Sequence, residues 1–223
     1  MVTYRPVHRQ LFRYDAPNVS SLILQGSIKV TTLEACRNAE MEYFRDEEEG
    51  TRTITSLPGT NSLDRFSLAK LLGVDPAGIC VHGKNAVVTQ GVNAVHRRER
   101  LANAFIFCTS KLENDALMKG KFGSGCVKIK DPVAFFELVD GELRRAMAPR
   151  NLQSCLVDEV EYAPRTNNYR DHTNRSIAFL KPNDGRMGFE KEGEVRAVWI
   201  PDGFNIEPEF LSVPAVAPFL ELL

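Results

Sequence analysis

The chain has 223 residues, of which 43% are apolar and 26% are charged, and this composition excludes a disordered or fibrous protein. Its net charge of −1 excludes the overall basic field that drives nonspecific binding to nucleic acids or membranes. No apolar run reaches the roughly 18 residues that a membrane-spanning helix needs, and the first residues do not resemble a secretory segment. We therefore predict a cytoplasmic protein without a membrane partner, folded as one domain over residues 1–223.

Two helices are predicted early in the chain. Thr31 and Glu34 have the spacing of a capping box, which predicts a helix from Thr31 to about Phe44. A second helix is predicted from Ser62 to Gly73, because it has a serine at its N-cap and a glycine at its end.

Strands dominate the later part of the chain. Residues 104–108 are apolar on both faces, which predicts a central strand that ends at Thr109 and Ser110. Asp131 and Pro132 predict the start of a helix directly after a strand. The other predicted elements are a hairpin of 79–82 and 86–89 with a three-residue loop, strands at 126–130, 156–162 and 176–180, and a polar loop over 163–175. The predicted class is α+β, with central mixed or antiparallel β-sheets and flanking helices.

Two glutamates stand two residues apart where a charged segment enters an apolar, β-forming run. Strand side chains alternate in direction, so Glu192, Glu194 and Arg196 are predicted to share one face. The apolar residues on the opposite face are Val195, Ala197 and Trp199. A solvated strand end and a functional site both fit this pattern.

Polar groups end three strand-like runs of the chain, at Arg13-Tyr14, Thr109-Ser110 and Glu192-x-Glu194. This order resembles the R-S-E pattern of ADP-ribosyltransferases. The resemblance implies an ADP-ribosyltransferase-like fold and NAD as the substrate. It also implies a role for each group: Arg13 holds the dinucleotide phosphates, Thr109 and Ser110 brace the site near the nicotinamide ribose, and Glu194 bonds the ribose 2′-hydroxyl.

Several blocks of the chain are also similar to the bacterial DUF2971 group, a family of domains of unknown function. The matching blocks are Leu11–Tyr14, Arg45–Gly50, Phe105–Ser110, Phe122–Ile129, Val160–Tyr162 and Phe189–Arg196. The chain departs from the pattern at Leu117–Gly120, where a tryptophan and a histidine are expected. Since that group has no settled activity, the enzymatic prediction depends on the R-S-E pattern.

The predicted chemistry suits these residue types. Cleavage of the nicotinamide glycosidic bond builds positive charge on the ribose, and a fixed carboxylate such as Glu194 stabilises it. A guanidinium such as Arg13 forms paired hydrogen bonds to phosphate oxygens. Tyr14 is a candidate to stack on the nicotinamide, and Glu192 has the position that activates the acceptor in transferases that modify protein side chains. Both a mono-ADP-ribosyltransferase and an NAD glycohydrolase are open, with a protein, a nucleic acid or water as the acceptor.

A purely structural role is also open for these residues. Arg13 also fits a strand edge, Tyr14 fits a core, and Thr109 and Ser110 fit hydroxyls that end a strand by bonding backbone. The five cysteines form no C-x-x-C pair and are interpreted as small buried hydrophobic residues, which disfavours a metal site and a cysteine enzyme. The alternative function is a non-enzymatic interaction protein, or a nucleic-acid-binding protein that uses basic clusters such as Arg97-Arg98 or Lys119 with Lys121.

Overall fold

The structure, a computed structural model, describes most of the chain and has a mixed fold of helices and strands. A mixed sheet with accompanying helices is present, as predicted, and the sheet is curled. The described residues are 2–6, 8–38, 51–56, 82–83, 86–91, 94–101, 103–113, 115–153, 155–163, 166–168, 177–181, 189–202 and 205–223.

The elements are numbered here in chain order. The described α-helices are α1 (Pro17–Leu24), α2 (Leu33–Arg37), α3 (Ala116–Phe122) and α4 (Pro132–Met147). The described strands are β1 (Val2–Tyr4), β2 (Leu11–Asp15), β3 (Ser27–Thr32), β4 (Thr51–Ser56), β5 (His82–Gly83), β6 (Ala86–Gly91), β7 (Ala94–Arg100), β8 (Phe105–Ser110), β9 (Gly125–Ile129), β10 (Cys155–Glu159), β11 (Glu161–Tyr162), β12 (Thr166–Asn168), β13 (Leu180–Lys181), β14 (Glu194–Trp199), β15 (Glu209–Ser212) and β16 (Leu220–Leu222). Short 3-10 helices lie at Ile177–Phe179, Phe189–Lys191 and Pro214–Phe219.

The largest sheet joins nine of the described strands. Its main path runs β1-β10-β14-β8-β2-β9-β16, and β3 joins it by pairing with both β8 and β15. Only β1 and β10 run parallel in this sheet, so it is mixed. A second sheet has the order β12-β4-β7-β6-β5, and β11 pairs with β13. No helix in the described residues is both long and apolar enough to cross a membrane.

The main core lies between the large sheet and α4. The helix begins where predicted, because the Asp131 side chain accepts a hydrogen bond from the backbone N–H of Ala134 and Pro132 occupies the first turn. Its apolar face packs against β8, where the rings of Phe135 and Phe136 lie 5.7 and 6.1 Å from the ring of Phe107. Since β8 is also the middle strand of the main path, the predicted central strand is confirmed.

Two local predictions were wrong in detail, one about a helix cap and one about a hairpin. The first predicted helix corresponds to α2 and is capped by Thr32 rather than Thr31. Both threonines still pair with β8, and it is the Thr32 side chain that accepts from the Ala35 N–H. The hairpin differs from the prediction, since Gly83, which was predicted in its loop, pairs with Ala86. Residues 79–81 of its predicted first strand lie outside the described residues.

The segment after the predicted polar loop also differs. Ile177–Phe179 forms a 3-10 helix, and only Leu180–Lys181 forms a strand there. Inside the predicted loop, Thr166–Asn168 pairs with β4. The predicted helix from Ser62 to Gly73 and the residues of the first predicted helix beyond Asn38 lie outside the described residues.

A buried aspartate pins α4 to the sheet. Asp140 accepts hydrogen bonds from Trp199 Nε1 at 3.0 Å and from Arg144 Nε at 2.9 Å. Arg144 in turn donates to the carbonyl oxygens of Leu152 and Gln153, just before β10. Asp140 thus links the helix to β14 directly, and to the segment before β10 through Arg144.

We expect Asp140→Ala to lower the free energy of unfolding by about 2 kcal/mol, because it leaves the buried indole N–H of Trp199 without its acceptor. Urea denaturation followed by circular dichroism measures this loss. Glu137→Ala, an exposed position on the same helix, is the control and should leave the transition midpoint unchanged. Equal effects of the two substitutions would contradict the pinning role.

Candidate functional site

The sheet divides along one edge of β8. One edge of β8 pairs with β14 along its whole length, from Phe105 to Ser110. The opposite edge is shared by two strands, because β3 pairs with Phe105 and Ile106 and β2 pairs with Ser110. Between these contacts, Arg13 Nη1 donates a hydrogen bond to the carbonyl oxygen of Cys108 at 2.7 Å. The side chain of Arg13 therefore bridges the place where β2 and β3 separate.

A cavity of about 230 Å³ adjoins this division. Its wall includes β2, β8 and the start of β14, together with Lys181, Phe122 and Phe189. All the residues predicted as a site line it, and they are Arg13, Tyr14, Thr109, Ser110, Glu192 and Glu194. The structure thus brings together three segments that are far apart in the sequence.

Glu194 is the first residue of β14, and its side chain is only 5% exposed. Its Oε1 accepts from Arg196 Nε at 2.9 Å, and its Oε2 lies 2.7 Å from Lys181 Nζ. Burial alone would raise the pKa of Glu194, but the charges of Arg196 and Lys181 outweigh it and hold that pKa below its ordinary value of 4.5. Glu194 is therefore an ionised carboxylate in the cavity wall, and the interpretation as a solvated strand end was wrong.

Glu192 lies just before β14 and is held by two lysines. Its Oε1 lies 2.5 Å from Lys121 Nζ and its Oε2 lies 3.0 Å from Lys181 Nζ. The ring of Phe189 is close to both ammonium groups, with its centroid 4.8 Å from Lys121 Nζ and 4.5 Å from Lys181 Nζ. Both carboxylates of the Glu-x-Glu motif therefore belong to one buried charge network that shares Lys181.

The alternation predicted for β14 is confirmed. Val195, Ala197 and Trp199 are part of the main core, whereas Glu194 and Arg196 line the cavity. Side chains of a strand alternate between its two faces. One face of β14 therefore packs in the core and the other carries charged residues, although every residue of the strand is buried.

The hydroxyl groups at the end of β8 brace the segment that carries the glutamates. Thr109 Oγ1 donates to the carbonyl oxygen of Val195 at 2.9 Å, and Ser110 Oγ donates to that of Glu192 at 2.7 Å. Ser110 Oγ also accepts from the N–H of Leu112 at 3.0 Å. Both hydroxyls therefore bond to backbone, and Ser110 positions Glu192 beside the lysines.

Arg13 and Tyr14 are hydrogen-bonded within the protein as well. Arg13 Nε donates to Asp15 Oδ2 at 2.6 Å, and its guanidinium lies 5.3 Å from the centroid of the Phe107 ring. The Tyr14 hydroxyl donates to the carbonyl oxygen of Leu112 and accepts from the Asp115 N–H at 2.9 Å. Both side chains thus build the wall of the cavity.

Two of the cysteines differ from the prediction. Cys126 and Cys155 are buried, but Cys36 and Cys108 are half-buried and line the cavity. Burial raises the pKa of the Cys108 thiol well above its ordinary value, and the charge of nearby Glu194 raises it further. Among the residues that the structure describes, no three His, Cys, Asp or Glu side chains are grouped to hold a metal ion.

The cations of the network were not singled out from the sequence as site residues. Arg196 could have been, because strand alternation places it on the face of Glu194. Asp15 is not one of these cations, but the same alternation could have placed it beside Arg13, since it stands two residues later in β2. Lys121 and Lys181 come from a helix and a two-residue strand, and no local pattern connects either of them with Glu192.

Comparison of the chain with protein-family models, with curated proteins and with solved structures gives no match. The likeness to the DUF2971 group and the R-S-E likeness to ADP-ribosyltransferases therefore stay predictions from the residues.

We expect Glu194→Gln to lower the free energy of unfolding by about 3 kcal/mol at pH 7, because it leaves buried cations without their carboxylate. The folded-state pKa of Glu194 is below 4.5, so its contribution is complete above about pH 4.5 and is lost as the pH falls below that value. The difference between wild type and variant should therefore shrink on acidification. Urea denaturation between pH 7 and pH 3 measures it.

Glu159→Gln is the matched control for this experiment. Glu159 pairs with Lys111 at 2.8 Å and with His8 at 3.0 Å in a much more exposed setting, and each such pair contributes at most about 1 kcal/mol. A constant difference between wild type and Glu194→Gln across the pH range would contradict the depressed pKa.

The turn before β14 needs a glycine. Gly193 has φ = +54°, and a Cβ added there would lie 3.0 Å from Leu112 Cγ and 3.1 Å from Lys111 Cγ. We expect Gly193→Ala to lower the free energy of unfolding by about 1 kcal/mol or more. Gly141→Ala is the control, because Gly141 is in α4 with nothing within 4 Å of the added Cβ, and it should stabilise by up to about 1 kcal/mol. Thermal denaturation of both variants shows whether each substitution raises or lowers the melting temperature. A higher melting temperature for Gly193→Ala would contradict the strained turn.

Proposed function

We propose that this cavity binds NAD and that the protein cleaves its nicotinamide glycosidic bond, as an ADP-ribosyltransferase-like protein does. The observation that carries the proposal is the convergence of Arg13, Ser110 and Glu194 on one cavity, although they come from the two ends and the middle of the chain. The fold class implied is the ADP-ribosyltransferase-like one, and the likeness to the DUF2971 group is part of the same proposal.

The charge state of Glu194 supports this chemistry. A carboxylate that stabilises a cationic ribose must be ionised before the substrate reacts, and Arg196 and Lys181 keep the pKa of Glu194 low. A general acid would need the opposite shift, a raised pKa. The network therefore suits electrostatic stabilisation and a hydrogen bond to the ribose 2′-hydroxyl.

The reaction has a simple balance. The bond between ribose C1′ and the nicotinamide nitrogen breaks, and nicotinamide leaves with the electron pair. An oxygen or nitrogen nucleophile forms a new bond to C1′ and releases its proton. Water as the nucleophile gives ADP-ribose, and a side chain or a nucleic acid gives a modified acceptor.

The cavity wall offers contacts for the reacting end of NAD. Tyr14, Phe122 and Phe189 provide aromatic surface for the nicotinamide, and the carboxylate of Glu194 provides an acceptor for the ribose. A cavity of about 230 Å³ takes this end of the substrate, and the adenosine part extends out of it.

Isothermal titration with NAD, together with chromatographic detection of released nicotinamide, tests the proposal. We expect the wild type to bind NAD and to release nicotinamide. The Glu194→Gln variant should release nicotinamide at least about a hundredfold more slowly, because the substitution removes the negative charge. Arg13→Ala should weaken binding, because it removes the group that closes the cavity wall at Cys108.

Glu159→Gln, which changes a carboxylate outside the cavity, is the control and should behave as wild type. Circular dichroism establishes that each variant is folded. Absence of both binding and release in the folded wild type would overturn the proposal and favour the alternative, a non-enzymatic interaction or nucleic-acid-binding protein.

A further inference from the structure

Two lysines from separate parts of the chain hold one carboxylate. Lys121 belongs to α3 and Lys181 ends β13, and their ammonium groups contact different oxygens of Glu192. The side chains of Lys121 and Lys181 are only 13% and 11% exposed. Few lysines are this buried, so the pair is an unusual feature that structural stability alone does not require.

The position of the two ammonium groups does not depend on Glu192 alone. Both lie against the ring of Phe189, 4.8 and 4.5 Å from its centroid, and such contacts attract cations to an aromatic ring. Lys121 also lies 5.5 Å from the ring of Phe122. Aromatic surface therefore holds both cations in place for an anion.

The anion that suits this pair best is a diphosphate. Lysine is a common ligand of phosphate groups, and two ammonium groups that fit two carboxylate oxygens also fit two phosphate oxygens. A diphosphate carries more negative charge than one carboxylate, so it competes well for both cations. An ammonium group has three donors, so Lys181 can keep its 2.7 Å contact with Glu194 Oε2 while it binds the diphosphate. Arg13 is less suited, because Asp15 and the Cys108 carbonyl oxygen already occupy its guanidinium.

We propose that Lys121 and Lys181 bind the diphosphate of the substrate and that Glu192 occupies this position until the substrate displaces it. The assignment of the diphosphate to a dinucleotide rests on the proposed function. The displacement moves the Glu192 carboxylate and leaves its backbone in place, because Ser110 and Lys111 bind the carbonyl oxygens of Glu192 and Gly193.

Titration calorimetry with inorganic pyrophosphate at constant ionic strength tests the assignment. We expect Glu192→Gln to bind pyrophosphate about tenfold more tightly than wild type or better, because the competing carboxylate is gone. Lys121→Met should weaken binding by a similar factor. In the double variant Glu192→Gln/Lys121→Met the gain from Glu192→Gln should be smaller than in the presence of Lys121, because, of the two lysines, Glu192 then competes only for Lys181.

Lys119→Met changes a lysine of the same helix outside the pair and is the matched control, expected to bind as wild type. The double variant removes both charges of the Lys121–Glu192 ion pair, so it leaves neither of them buried without its partner in that pair. Circular dichroism establishes that every variant is folded. Equal affinity of wild type, Glu192→Gln and Lys121→Met for pyrophosphate, or no binding by any of them, would overturn the proposal.

A parallel titration with NAD separates this proposal from the proposed function. If pyrophosphate follows the expected pattern but NAD neither binds nor loses nicotinamide, the lysine pair is a diphosphate site and the proposed function fails. If NAD binds and is cleaved while Lys121→Met leaves its affinity unchanged, the proposed function stands and the lysine pair is not the diphosphate site.

Discussion

The hydrogen bond from Arg13 to the carbonyl oxygen of Cys108 closes the gap where β2 and β3 separate along β8. A buried carbonyl group without a partner is costly, so two strands can share one edge only if another donor serves the residues between them. Arg13 is that donor, and Asp15 fixes its guanidinium. The division of the sheet, and with it the cavity, thus depends on one side chain.

The charge network on the cavity wall is expensive to bury. Ion pairs in a protein interior seldom stabilise a fold more than apolar residues of the same size would. In this cavity, however, Glu192, Glu194, Lys181 and Arg196 form contacts with one another, and Ser110 and Tyr162 bind the backbone of the two glutamates. Such an arrangement is expected where charged groups must be held in position for a ligand.

The parts of the structure that could be predicted are those determined by nearby residues, through the alternation of side chains in strands and through helix caps. Strand alternation separated Glu194 from Val195 correctly, and Asp131 with Pro132 marked the start of α4. The apolar run before Thr109 marked the central strand, because only a strand covered on both faces is apolar on both. These signals need no knowledge of distant residues.

The remaining parts depend on contacts that are distant in the sequence. The choice of Thr32 over Thr31 as a helix cap follows from the pairing of both threonines with β8. The apolar run at 177–180 contains a 3-10 helix, because the chain turns there to pair Leu180 and Lys181 with β11. Lys121 and Lys181 meet through Glu192 and the ring of Phe189, which are distant from both lysines or from one of them in the sequence, so no local pattern could predict that cluster.

Glu192 connects the two proposals. In the structure each oxygen of the Glu192 carboxylate contacts a different ammonium group, so the carboxylate is not available to an incoming nucleophile. If a substrate diphosphate takes over the lysines, the carboxylate becomes free near the reacting ribose. In that state Glu192 can accept the proton of an incoming nucleophile, which is the role implied by its place in the Glu-x-Glu motif. Binding of the substrate would then generate the base that transfer requires, and the protein without substrate would keep that base neutralised.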